Sequence, residues 1–219
     1  MRSLRTTFLS LFFLAFAFSI IAQEKKALQL EDYKDWKRIN NTELSPNGEW
    51  ITYAYDPNEG DAQFHIREIA GDTVYTTINA SRVSFSNDSR WVAFLVAPPE
   101  DEAEALRKQR KPVNNALHLY DLNNRSVEEI KDVRSFSFNE TSSHLAIQKV
   151  KSDSDAEHDG SDMILKSLAD GAVMNIGNVS SFGFNETGNL FAYLVDADGD
   201  TGNGVYLLDM SNMRTWAMH

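Results

Sequence analysis

No cysteine occurs among the 219 residues, which excludes disulfides, thiolate nucleophiles and Cys-ligated zinc in one step. Positive charge is in deficit as well, with 21 Lys and Arg against 32 Asp and Glu and a net charge of −11. Phosphate binding needs clustered cations to displace counterions, so nucleic acid is not an expected partner. Three chemical signatures are missing. No Gly-x-Ser-x-Gly string offers the strained turn of a nucleophile elbow, no His-Glu-x-x-His sets two metal ligands on one helical face, and no Gly-x-x-x-x-Gly-Lys loop cradles phosphates. The five histidines, His65, His118, His144, His158 and His219, are scattered. No catalytic residue and no cofactor is expected. A bilayer-spanning run is absent too: the uncharged stretch from Phe8 to Ala22 falls short of the ~20 apolar residues a span requires.

That short run has the form of a secretory signal. Arg2 and Arg5 precede it, and Ala22 stands before the polar switch Gln23-Glu24-Lys25-Lys26. Cleavage after Ala22 is expected, the alternative being an uncleaved anchor. The export it implies is to the periplasm or the extracellular space, with no membrane association after cleavage. The remaining chain holds 19 basic and 32 acidic residues, a net charge of −13.

What is present is a repeat. Four segments superpose on their polar turns: Leu44-Ser45-Pro46-Asn47-Gly48-Glu49-Trp50-Ile51, Phe85-Ser86-Asn87-Asp88-Ser89-Arg90-Trp91-Val92, Phe138-Asn139-Glu140-Thr141-Ser142-Ser143-His144-Leu145 and Phe184-Asn185-Glu186-Thr187-Gly188-Asn189-Leu190-Phe191. The turns recur after 41, 53 and 46 residues. Each unit is a large apolar residue, a turn that tolerates positive φ, and an alternating strand, as a hairpin requires. Third strands are expected near residues 63–69, 116–122, 162–168 and 204–210. A period of this size built from short strands is that of a β-propeller blade. An immunoglobulin-like sandwich competes, but it does not repeat one hairpin signature. The expectation is an all-β chain: signal peptide 1–22, a prelude over 23–40 with a short helix at 31–39, and about four blades of an incomplete ring over 41–219. A charged insertion at 97–115, running from Pro98-Pro99-Glu100-Asp101-Glu102 to Arg107-Lys108-Gln109-Arg110-Lys111-Pro112, offers a turn or two of charged helix in its middle, but its few apolar residues make an exposed, mobile excursion the expectation.

Two local clusters invite chemistry. Asp196, Asp198 and Asp200 alternate as in a calcium loop, yet Thr201 stands where glycine is expected and Leu207 where a bidentate carboxylate is expected. The same residues also read as turn-formers between two strands of the last blade. His158-Asp159-Gly160-Ser161-Asp162 imitates a triad, but triad members meet through the fold and not through adjacency, so it reads as a loop. Asn-x-Ser/Thr strings begin at Asn40, Asn79, Asn87, Asn124, Asn139, Asn178 and Asn185, and several coincide with the repeat turns.

The tract Asp32-Tyr33-Lys34-Asp35-Trp36-Lys37-Arg38-Ile39, the Ser45-Pro46-Asn47-Gly48 turn, the charged insertion and the later blades together resemble the N-terminal propeller of bacterial exported serine peptidases of the prolyl oligopeptidase family, which includes dipeptidyl and acylaminoacyl peptidases. The resemblance implies a propeller that screens peptide substrates on their way to a C-terminal α/β-hydrolase domain carrying the Ser-Asp-His triad. That domain follows the propeller in the family, so this chain reads as a fragment ending at His219, without catalytic residues of its own. The alternative is a stand-alone periplasmic propeller of the Tol type, acting as an interaction scaffold.

Overall fold

The computed structural model describes residues 28–153, 155–200 and 202–218; the expected signal segment, 1–22, lies outside them. Residues up to Lys34 form one unit and Asp35 onwards another. In the first, a 3-10 helix starts at Leu30 and runs to Asp35. The expected helix over 31–39 is therefore cut short. Of the three aromatic and aliphatic residues spaced by three, Tyr33 lies in the 3-10 helix, Trp36 follows its end, and Ile39 belongs to the first strand.

That strand, β1 (Lys37–Leu44), opens blade 1 with β2 (Trp50–Pro57), β3 (Gln63–Glu68) and β4 (Thr73–Ile78). Blade 2 consists of β5 (Ala80–Phe85), β6 (Trp91–Val96), β7 (Ala116–Asp121) and β8 (Ser126–Ile130). The next sheet holds seven strands: β9 (Val133–Phe138), β10 (His144–Lys149), β11 (Ser161–Ser167), β12 (Val173–Phe184), β13 (Leu190–Val195), β14 (Gly204–Asp209) and β15 (Arg214–Met218). It is two blades sharing one long strand. The first half of β12 pairs with β11 and its second half with β13, so β12 ends blade 3 and begins blade 4. Asn178, at φ +56, marks the change of blade. Asn79 (φ +49) and Asp132 (φ +55) do the same between blades 1 and 2 and between blades 2 and 3. Two of the Asn-x-Ser/Thr asparagines thus serve blade junctions, where asparagine tolerates the left-handed backbone.

All four repeat turns share one construction. The N–H of the first residue bonds to the carbonyl five positions on, as from Ser45 to Trp50 and from Ser86 to Trp91. The fourth residue, Gly48, Ser89, Ser142 or Gly188, has φ between +56 and +72. The turns also touch one another. Ser89 Oγ accepts from the Asn47 N–H and Ser142 Oγ from the Asp88 N–H, both at 3.0 Å. Where Gly188 has no hydroxyl, its carbonyl accepts from Asn139 Nδ2 at 3.0 Å.

Apolar packing runs between blades and not within them. Ala54, Phe64 and Ile66 of blade 1 meet Val92, Phe94 and Tyr120 of blade 2, with the Phe64 and Phe94 rings 4.8 Å apart. Leu95, Leu117 and Leu119 meet Leu145, Ile147 and Leu168. Ala146, Met163 and Leu165 meet Phe191, Tyr193 and Leu208. Alternate residues of β6 therefore face opposite neighbours, which explains its unbroken apolar sequence Trp91-Val92-Ala93-Phe94-Leu95-Val96. Burying each such side chain stabilises by roughly 1.5–3 kcal/mol.

The insertion at 97–115 contains helix α1 (Glu100–Lys108). Asp61 Oδ1 of blade 1 accepts the Glu100 N–H at 2.9 Å, acids fill the first turn, Arg107 and Lys108 the last, and Ala103 is buried, an arrangement that suits the helix dipole.

The serine contacts between turns set a stability test. Ser89→Ala loses a hydrogen bond worth about 1 kcal/mol and keeps a side chain at positive φ, whereas Ser89→Gly loses the same bond but relaxes the backbone. Urea denaturation is expected to rank wild type above Ser89→Gly and Ser89→Gly above Ser89→Ala.

Candidate functional site at the loop-bearing end

Antiparallel order sends the repeat turns of every blade to one end and the connections between second and third strands to the other, together with the blade junctions. The repeat-turn end is uniform. The opposite end is not: its connections, residues 58–62, 97–115, 150–160 and 196–203, differ in length and charge, and such variable loops on a rigid scaffold are where binding groups gather.

The junctions tie these loops down. The carbonyls of Asn79, Asp132 and Asn178 accept the N–H groups of Ala97, Val150 and Asp196, the residue just past the second strand of each following blade. Asn79 also gives its side-chain amide to Asp61 Oδ1 and the Pro98 carbonyl. A Cβ on Gly160 would lie 2.1 Å from the Asp196 carbonyl oxygen and 2.5 Å from that of Asn178, so only glycine lets the 150–160 loop pass.

At this end of blade 2 lies a cleft of about 350 Å³, walled by Ile78, Val96, Pro98, Glu102, His118 and Glu129 among others. His118 is its titratable centre. Strand pairing sets it opposite Glu129, with Nε2 4.0 Å from Glu129 Oε2, while Nδ1 lies 2.9 Å from the Tyr75 hydroxyl of blade 1. Burial lowers the His118 pKa, and the Glu129 carboxylate opposes the shift. Burial likewise raises that of Tyr75, whose hydroxyl shares a hydrogen bond with one ring nitrogen of His118 while the other faces Glu129. Besides His118 the cleft is lined by the carboxylates Glu102, Glu129 and Asp132, the amine of Lys131 and the amides of Asn114 and Asn115, polar groups that can bind a ligand from several sides. Sequence reading placed His118 in a strand and missed this chain of contacts, whose only signal is the register between β7 and β8.

The aspartates singled out from sequence are held by hydrogen bonds. Asn203 Nδ2 donates to Asp196 Oδ1 at 3.2 Å and to Asp200 Oδ1 at 3.1 Å, and Asp196 Oδ2 accepts the Asp159 N–H at 2.7 Å. Asp198 to Asp200 form a short turn kinked at Gly199, whose backbone is left-handed at φ +68. Among the described residues no three His, Asp or Glu side chains gather as a metal site would need. His158 and Ser161 do not pair: Ser161 Oγ donates to the Val179 carbonyl, and His158 Nδ1 is buried without a hydrogen bond. His65 bonds to Thr76 and His144 to Ser143, so the described histidines form no cluster. No described helix is long and apolar enough to cross a membrane.

A pH dependence follows. In the unfolded chain His118 takes up a proton below its ordinary 6.5, whereas the folded chain resists it, so stability is lost as the pH falls through 6.5 and the loss ends below the lowered folded pKa. His65 and His144 are shifted the same way by burial. Urea midpoints at pH 7.5 and 5.5 are expected to differ, and His118→Phe to narrow the difference without abolishing it.

No protein-family model and no curated protein matches the sequence. Solved structures do. The β-propeller domain of the Trilobed protease from Pyrococcus furiosus, described as having an open velcro topology, superposes with a TM-score of 0.51 at 15% identity over 84% of this chain and 58% of its own. Pyrococcus horikoshii acylaminoacyl peptidase gives 0.50 at 12% identity, over 85% of this chain and 33% of its own. TolB from Acinetobacter baumannii gives 0.44 at 12%, over 83% and 43%. The chain thus spans 58% and 33% of the first two structures. At these identities the likeness is one of architecture, and this chain has the fold of a β-propeller.

Proposed function

We propose that the chain supplies four blades of the propeller of an exported serine peptidase of the prolyl oligopeptidase type, where it screens peptides sterically and supports an α/β-hydrolase domain that carries the catalysis. The observation that carries this reading is the pair of open terminal blade faces. On blade 1, Ile39 and Tyr55 form a cross-strand pair, as do Leu44 and Ile51, and Ile39, Leu44 and Ile69 are more than half exposed. On blade 4, Leu194 pairs with Val205, Val205 with Met218 and Leu207 with Trp216. These faces have the apolar alternation of the three buried interfaces but no neighbour among the described residues. Exposed patches of this kind are uncommon on monomers, and further blades of the same design would cover them.

Two other observations support the reading. The propeller domain of a protease superposes on the chain, and the first 22 residues have the pattern of a secretory signal. In this reading the part without a Gly-x-Ser-x-Gly string selects and does not cleave, and it works in the periplasm or outside the cell. No cofactor enters this scheme.

The gene's full coding sequence tests the reading: several hundred further residues lacking Gly-x-Ser-x-Gly would contradict it. A second test needs only this chain. Residues 23–219 alone are expected to bind a hydrophobic dye and to associate with rising concentration in sedimentation velocity. Lysines at Tyr55 and Leu194 should reduce both effects; a sharply melting wild-type monomer would refute the open faces.

A further inference from the structure

The innermost strands carry a feature that neither the cleft nor the open faces use. β5 and β9 each have a strand neighbour on one side only, so their other edges face the middle of the blade array. Both are bulged. In β5, Ser81 pairs with Leu95 and Ser84 with Ala93, which leaves Arg82 and Val83 opposite Phe94. In β9, Val133 pairs with Lys149 and Ser135 with Gln148, which leaves Arg134 unpaired. Bulges re-aim side chains, and they concentrate beside functional sites.

Arg82 and Arg134 are both exposed, and neither forms an ion pair among the described residues. Arg82 Nη1 reaches the Arg134 backbone carbonyl at 3.5 Å, so the two bulges are neighbours across the boundary between blades 2 and 3. On β1, by contrast, Arg38 is paired with Asp56 at 3.3 Å. The equivalent bulge of blade 1 holds Asn41, four residues before its turn as Arg82 is before Ser86. Asn41 (φ +50) donates Nδ2 to the Ala80 carbonyl of blade 2 at 2.7 Å. An asparagine therefore suffices to bridge blades from this position and is at ease in the left-handed region. Arg82 occupies that region at φ +51, which a side chain adopts only at a cost, uses one long contact, and leaves the rest of its donor fork without a partner among the described residues.

We propose that Arg82 and Arg134 form an anion-binding subsite on the inner edges of blades 2 and 3, and that it takes a carboxylate such as a peptide C-terminus. A guanidinium presents two parallel donors at the spacing of carboxylate oxygens, and among the described residues no carboxylate takes up either one. The subsite stands on the inner strands alone and does not require the hydrolase domain proposed above.

Titration calorimetry on the full-length protein tests it with three probes: Ala-Ala-Ala with a free carboxylate, the same peptide as its C-terminal amide, and inorganic phosphate. The free acid is expected to bind at least about tenfold more tightly than the amide. The double variant Arg82→Asn with Arg134→Gln, which keeps a bridging amide in the bulge, is expected to lose that preference with its melting temperature little changed. Equal binding of acid and amide, an unaltered preference in the double variant, or binding of phosphate without the peptide acid would each overturn the proposal. So would no binding by any probe. Should the variant not fold, the acid-to-amide ratio on the wild type decides alone.

Discussion

Everything in this molecule depends on one constraint: a four-stranded antiparallel blade has two faces, and neither can be buried within the blade itself. Burial requires a neighbour on each side. The strands answer that constraint in their sequences. β6 and β10 send Val92 and Phe94, or Leu145 and Ile147, to one side and Ala93 and Leu95, or Ala146, to the other. On the outer faces of blades 1 and 4 the same apolar chemistry meets no neighbour among the described residues, and Ile39, Leu44 and Val205 are exposed there.

Apolar contact alone does not fix how far one blade slides along the next, because the hydrophobic effect has no direction. Polar groups at both ends do that. At one end the fourth residue of each turn bonds with the turn before it, through a serine hydroxyl twice and a glycine carbonyl once. At the other, a left-handed Asn or Asp turns the chain from one blade into the next and gives its carbonyl to the following loop. Asp121 shows the same economy within a blade. Burial raises its pKa, but the N–H groups of Asn124 and Asn123 and the Arg90 guanidinium bring it below the ordinary value, so a nearly buried carboxylate remains ionised and closes the turn after β7.

Function, by this account, belongs to the places where the repeat is broken. The uniform turns hold the array together. The unequal connections at the opposite end build the His118 cleft and lock the acidic loop with Asn203, and the inner bulges release two arginines from the strand ladder.

The sequence by itself determined the blades. Four turns with Ser or Asn first and Gly or Ser fourth, each followed by an alternating apolar strand, are local signals. The third strands fall within a residue or two of where the pattern sets them because hairpin register is fixed by the turn. It also determined what is absent, since a missing cysteine or nucleophile elbow cannot be restored by folding. Only the tertiary structure decided the rest. Ile39 joined a strand and not a helix because β2 was there to pair with it, and the start of α1 is held by Asp61 of another blade. Tyr75 met His118 across a blade boundary, and Arg82 came beside Arg134 from 52 residues away. Such contacts join side chains distant in sequence, and no local propensity or periodicity encodes which distant strands become neighbours.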